Sequence, residues 1–120
     1  MNGWIGVDFD GTLAYHKWIS IDHTGEPIPE MVEKVKGWLK AGMKVKIVTA
    51  RVSGSKAEAK RARKPVEAWC LEHLGVVLEV TCSKDFDMIE LWDDRAVRVE
   101  TNTGRQLSPS TIFTKMEDER

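Results

Sequence analysis

Cysteine is scarce in this chain, with two in 120 residues, Cys70 and Cys82. They form neither a metal-ligand spacing nor a disulfide framework, which excludes a small disulfide-stapled fold and suits a reducing compartment. Long apolar runs are also missing. No stretch approaches the length of a membrane span, and the N-terminus runs straight into an apolar segment at Trp4, so neither a signal peptide nor membrane association is expected and the chain is expected to be cytoplasmic. Charge of one sign is lacking too: 18 basic and 19 acidic residues leave a net −1. Bulk charge therefore does not make the molecule a polyanion binder, and any basic surface must be local. There are no internal repeats and no low-complexity linker. A Gly-rich loop ending in Gly-Lys-Ser/Thr is absent, which excludes a P-loop kinase. The length accommodates one domain with a real core. Residues 1–120 are read as that single domain, with a weakly ordered acidic tail from about residue 114.

What is present is organised around Trp4-Ile5-Gly6-Val7-Asp8-Phe9-Asp10-Gly11-Thr12-Leu13. An apolar run that stops at two carboxylates one residue apart, followed by Gly-Thr, reads as a buried strand delivering acids to a loop at its C-terminal edge. Open parallel sheets bind their ligands at that edge. Residues 14–21 could form a short hairpin over the acidic loop, ending at the turn signal Asp22-His23-Thr24-Gly25. Helical spacing of Met31, Val32, Val35, Trp38 and Leu39 predicts a helix over Glu30 to Ala41, stopped at Gly42. Lys44 to Ala50 reads as a second strand with Thr49 at its lip. Arg51 to Lys64 is polar, small and basic, and Pro65 starts or kinks a second helical stripe through Val66, Trp69, Cys70, His73 and Leu74. Further strands are predicted over Val76 to Thr81, Met88 to Trp92 and Ala96 to Glu100, the last ending at the turn Asn102-Thr103-Gly104. Alternation of strands and helices predicts an α/β fold, doubly wound around a mainly parallel sheet.

Strand ends thus supply Asp8, Asp10, Asp93 and Asp94. Two unit charges about 4 Å apart interact by roughly 4 kcal/mol at an effective dielectric of about 20. Several carboxylates beside an anionic substrate therefore need a cation, and an all-oxygen donor set suits a hard divalent ion, Mg²⁺ above all.

Asp8-Phe9-Asp10-Gly11-Thr12 resembles the nucleophile motif of the haloacid dehalogenase-like (HAD) phosphohydrolases. Three more stretches follow in that family's order: Ile47-Val48-Thr49-Ala50-Arg51, then Lys84, then Leu91-Trp92-Asp93-Asp94. The resemblance spans Trp4 to roughly Val99 and implies a Mg²⁺-dependent phosphomonoesterase. It implies Asp8 as the nucleophile that forms an aspartyl-phosphate and Asp10 as general acid and then base. Asp8, the Asp10 main-chain carbonyl, Asp93 and Asp94 would hold the metal. Thr49, Ala50 and Lys84, with backbone N–H groups near Phe9 and Asp10, would bind the phosphoryl oxygens. The gaps between motifs are too short for a cap domain. A capless site stays open, so water must be excluded by a large substrate, by the residues after the nucleophile loop or by a second subunit of a homo-oligomer.

The second gap is similar to the 3′-phosphatase domain of phage polynucleotide kinases. Between Lys56 and Lys64 five basic residues, Lys56, Lys60, Arg61, Arg63 and Lys64, stand against Glu58 alone, a local net of +4. Beside the site such a run would attract a phosphodiester backbone, and away from it the run is a solvated helix face. Arg51, Lys56, Lys60, Arg61 and Lys64 are accordingly candidate substrate contacts, together with Trp18, which the chain after the nucleophile loop could present. His16, His23 and His73 lie outside the motifs and read as structural or solvated. The substrate expected is a phosphorylated nucleic-acid end or nucleotide. A sugar- or metabolite-phosphate is the alternative within the class, and a phospho-receiver module or a catalytically inert binding domain the alternatives outside it.

Overall fold

The computed structural model describes residues 2–112. Its centre is strand β1, Trp4–Val7, buried along its whole length. Full burial requires a neighbour on both sides. Strand β2, Lys44–Val48, pairs on one side and strand β4, Met88–Trp92, on the other, both parallel to β1. Strand β3, Glu79–Thr81, pairs in parallel with β2. The order is β3-β2-β1-β4. The predicted α/β fold around a parallel sheet is therefore present. The chain winds outward from β1 to β3 and then returns to the far flank of β1. The direction of winding reverses between β1 and β4, and at such a reversal the loops leaving two adjacent strands part and open a crevice.

The two crossovers on the β2 side are helices. Helix α1, Pro29–Lys40, begins at a proline whose missing N–H costs nothing there, and it buries Val32 and Val35. Helix α2, Lys56–Leu74, buries Ala62, Val66, Trp69, Cys70 and Leu74. Both pack with Ile5, Val7, Val45 and Ile47 in one cluster. Strand neighbours alternate in direction, so Trp4 and Lys46 lie on the opposite face. That face is crossed by residues 82–87 without a helix. Trp4 Nε1 donates to Asp85 Oδ1 at 2.8 Å. Lys46 Nζ sits 4.4 Å above the Trp4 ring and pairs with Glu79 at 2.9 Å and Asp85 at 3.7 Å. A nearly buried ammonium thus stays charged through two carboxylates and a ring face.

Three local expectations are corrected. The segment after Arg51 is not a polar lead-in to a helix beginning at Pro65. A single 3-10 turn, Ala50–Val52, precedes α2, and α2 runs through Pro65. Its start is a capping box: Ser55 Oγ accepts from Glu58 N–H at 3.2 Å, and Ser55 N–H donates to Glu58 Oε1 at 3.2 Å. The first half of α2 shows no apolar stripe because it faces the core only through alanines, Ala62 buried and Ala59 partly so. Residues 14–21 pair only at their start, through one antiparallel bridge from Ala14 to Pro27. They belong to a longer loop pinned at its base, where Tyr15 N–H donates to Glu26 O at 2.7 Å and Ile28 N–H to Leu13 O at 2.9 Å. Ala96 to Glu100 does not join the sheet. It makes one antiparallel bridge, Val99 to Gln106, around the expected Asn102–Gly104 turn, and with Val97 and Val99 exposed nothing drives it onto the sheet. The acidic tail predicted from about residue 114 lies outside the described residues.

Candidate functional site

Asp8 N–H donates to Trp92 O at 2.8 Å, which draws the ends of β1 and β4 together just where the acids begin. The next residue, Phe9, is fully buried, edge-on to Trp69 at 5.2 Å between ring centroids. Sinking the residue between them into the core turns Asp8 and Asp10 outward. The Phe9 carbonyl then accepts N–H groups from Thr12, Leu13 and Ala14 at 3.3, 3.0 and 2.9 Å, closing a tight loop. Gly11 is required in it: φ is +87°, and a Cβ there would come within 2.6 Å of Asp94 Oδ2. Thr12 links the two strand ends. Its hydroxyl lies 3.2 Å from Asp94 Oδ1 and 3.4 Å from Asp8 Oδ2, and it accepts the Asp94 N–H at 3.1 Å.

Carboxylate oxygens of Asp8, Asp93 and Asp94 all lie within 4.8 Å of one another. Burial, a hydrogen bond with Asp94 and repulsion from Asp93 together push the Asp8 carboxyl up from 3.8 to about 7, against the Phe9 N–H that favours its ionised form. Three oxygen donors that resist simultaneous ionisation, at the mouth of a crevice, match a hard divalent cation. The sign of the pH effect follows. An acid whose native value is raised binds more protons folded than unfolded, so the stability it contributes is full below the ordinary value and is lost as pH rises through about 7. In chelator the melting temperature is expected to fall between about pH 4 and pH 7 more steeply in the native protein than in Asp8→Asn. Equal slopes in thermal melts of the two proteins would mean that Asp8 ionises freely.

Asp10 faces elsewhere. Arg51 Nε and Nη2 donate to its two carboxylate oxygens at 2.7 and 2.8 Å, a bidentate clamp. The same guanidinium donates to Ile21 O and His23 O, each at 2.9 Å, and so engages four of its five N–H groups. It lies 5.4 Å from the centre of the Phe9 ring and 5.2 Å from that of Trp18. Arg51 lines the cleft, as anticipated from the sequence, but its side chain is 5% exposed and its N–H groups are engaged by Asp10 and the loop, so it acts as a positioning residue. It also holds the loop after β1 against the site. Trp69 Nε1 supports that loop through Gly25 O at 2.8 Å, and a Cβ on Gly25 would run into the Tyr15 carbonyl.

These groups border a cleft of about 860 Å³. Asp8, Asp10, Asp93 and Asp94 line it, as do Thr49, Ala50 and Trp18. Thr49 is buried at the end of β2, with its N–H on Thr81 O at 2.8 Å and its hydroxyl accepting from Arg51 N–H at 3.2 Å. The hydroxyl proton remains available to a ligand. Several candidates do not gather here. Lys84 is exposed on the connection that crosses the rear face and is not among the lining residues. Of the basic run only Arg61 reaches the cleft, already paired with Asp22 at 3.1 Å, whereas Lys56, Lys60 and Lys64 do not line it. Asp10 lines the cleft, but its carboxylate, held by Arg51, stands apart from the acidic trio, which leaves its expected metal contact to the main-chain carbonyl. In return the cleft holds His16, Glu58 and Arg95. Arg95 is the cation nearest in sequence to the acidic pair, and in the sequence it reads only as balancing that pair's charge. His16 belongs to no motif, so only the path of the loop brings it in.

The fold has a counterpart. A solved structure described as a conserved protein coded by a locus from Bacteroides thetaiotaomicron matches 99% of this chain and 92% of that chain, with a TM-score of 0.55 and 22% sequence identity. At that identity the likeness establishes the fold alone. No family model matches the chain, and no curated protein matches it either. Among the described residues no helix is long and apolar enough to cross a membrane.

Proposed function

We propose that this protein is a Mg²⁺-dependent phosphomonoester hydrolase of the HAD type. One observation carries the reading: Asp8 stands with Asp93 and Asp94 at the point where the winding reverses, while its neighbour Asp10 is held by Arg51 on the same cleft. Two carboxyl groups from one strand end are thereby given different environments and so different tasks.

In this mechanism an Asp8 oxygen attacks phosphorus, the ester P–O bond breaks, and the leaving alkoxide takes a proton from Asp10. Water then gives a proton back to Asp10 and attacks the same phosphorus, releasing inorganic phosphate and the Asp8 carboxylate. Each Asp10 oxygen keeps a lone pair beyond its Arg51 contact, directed to the reacting groups rather than to the clamp. Thr49 offers a hydroxyl and Arg95 a positive charge to the phosphoryl oxygens. Asp8, Asp93 and Asp94 would hold the ion, which neutralises carboxylates and phosphate so that the anions can approach. The placement of Lys84 leaves the phosphoryl lysine of the family pattern without support in the geometry, and Arg95 takes that part in the proposal.

The deciding assay is phosphate release from 3′-phosphorylated oligonucleotides, mononucleotides and sugar phosphates with Mg²⁺ present. Release from none of them would remove the hydrolase reading. A cation bound only by the native protein also stabilises it by about 2.7 kcal/mol at a hundredfold excess over Kd. Millimolar Mg²⁺ is therefore expected to raise the melting temperature and Asp93→Ala to abolish most of the rise. An undiminished rise in Asp93→Ala would transfer the principal ligand role to Asp94.

A further inference from the structure

Trp18 is the feature of the cleft that phosphoryl transfer does not use. The residue is 56% exposed although it lines the cleft, and an exposed indole loses apolar contact that a ligand can restore. It is not a loose surface ring. The Arg51 guanidinium lies 5.2 Å from it, and that guanidinium is itself immobilised by Asp10, Ile21 O and His23 O. The indole therefore rests on a fixed cation one side chain away from the Asp10 carboxylate, with more than half of the residue open.

From this we propose that the substrate is a single nucleotide, its base stacked on Trp18 while its phosphate meets Asp8; the proposal rests on the hydrolase reading above. A flat aromatic group is what a rigid, half-open indole recognises, and stacking is tolerant of base identity because every base has a π-face. The surroundings favour one nucleotide over a polynucleotide. A phosphodiester track needs unpaired cations, but Lys56, Lys60 and Lys64 do not line the cleft, Arg61 is paired with Asp22, and the acidic Glu58 stands at the wall.

Binding to Asp8→Asn in Mg²⁺, measured by calorimetry, separates this from turnover. A nucleoside 5′- or 3′-monophosphate is expected to bind roughly tenfold more tightly than ribose 5-phosphate, the size of one base–aromatic stack. In Asp8→Asn/Trp18→Ala that ratio is expected to collapse towards one, and in Asp8→Asn/Trp18→Phe most of it is expected to return. No preference for the nucleotide, or one that survives Trp18→Ala, overturns the proposal. So does a 3′-phosphorylated trinucleotide that binds tenfold more tightly than the mononucleotide with strong salt dependence. If instead the ratio behaves as expected but the native enzyme releases no phosphate from any ester, base recognition stands and the hydrolase reading falls.

Discussion

Asp8→Asn is expected to abolish phosphate release, by about three orders of magnitude or more, with the fold intact. The amide is nearly isosteric with the carboxylate and can keep the contact to Thr12, but it cannot form an acyl phosphate. The substitution also removes one of three mutually repelling acids, so the metal-free variant is expected to be at least as stable as the native protein. Loss of turnover together with unchanged or higher stability is the signature of a nucleophile. A structural aspartate would lose both. Turnover and a urea melt on the same sample read the two quantities, and near-native turnover in well-folded Asp8→Asn would end the covalent mechanism.

Arg51→Ala carries the largest expected cost to stability. Removing one partner of a nearly buried, bidentate ion pair leaves the other charge partly desolvated, typically about 3 kcal/mol. Here the side chain also satisfies two main-chain carbonyls of the loop after β1, Ile21 O and His23 O. About 3 kcal/mol is thus expected in urea unfolding, with turnover lowered at least about a hundredfold because Asp10 loses the orientation that proton transfer needs. Arg51→Lys separates charge from geometry. An ammonium keeps the charge but cannot span a carboxylate bidentately while reaching two carbonyls in the same plane, so stability is expected to recover further than activity. If Arg51→Ala unfolds at the native urea midpoint, the loop and Asp10 are held by something other than this guanidinium.

How much of this was legible in the chain depended on how local the determinant was. Trp4 to Val7 announces a buried parallel strand because a strand covered on both faces must be apolar throughout. The acids that follow mark a candidate site because like charges gathered at strand ends repel one another unless something between them offsets the charge. α2 was half legible. Ser55-Lys56-Ala57-Glu58 carries a capping box in plain view, but Pro65 and an alanine-only inner face hid the helix that follows, since tertiary packing outweighs a local helix breaker. Lys84 was misplaced, and the part Arg51 plays at the cleft and the share of the basic run that reaches it were not legible, for one reason: long cationic side chains are positioned by where the backbone travels in three dimensions.

The sequence by itself determined the parallel α/β class, the order of the strands along the chain and the identity of the four acids, because apolar period and terminating charge are properties of neighbouring residues. Only the tertiary structure decided that Asp10 belongs to Arg51 while Asp8 belongs with Asp93 and Asp94, that Thr12 joins the two strand ends, and that Trp18 and Arg95 border the cleft while Lys84 does not. Each of those facts is a contact between residues far apart in the chain. Such contacts depend on which strand lies beside which, and no local pattern encodes that adjacency.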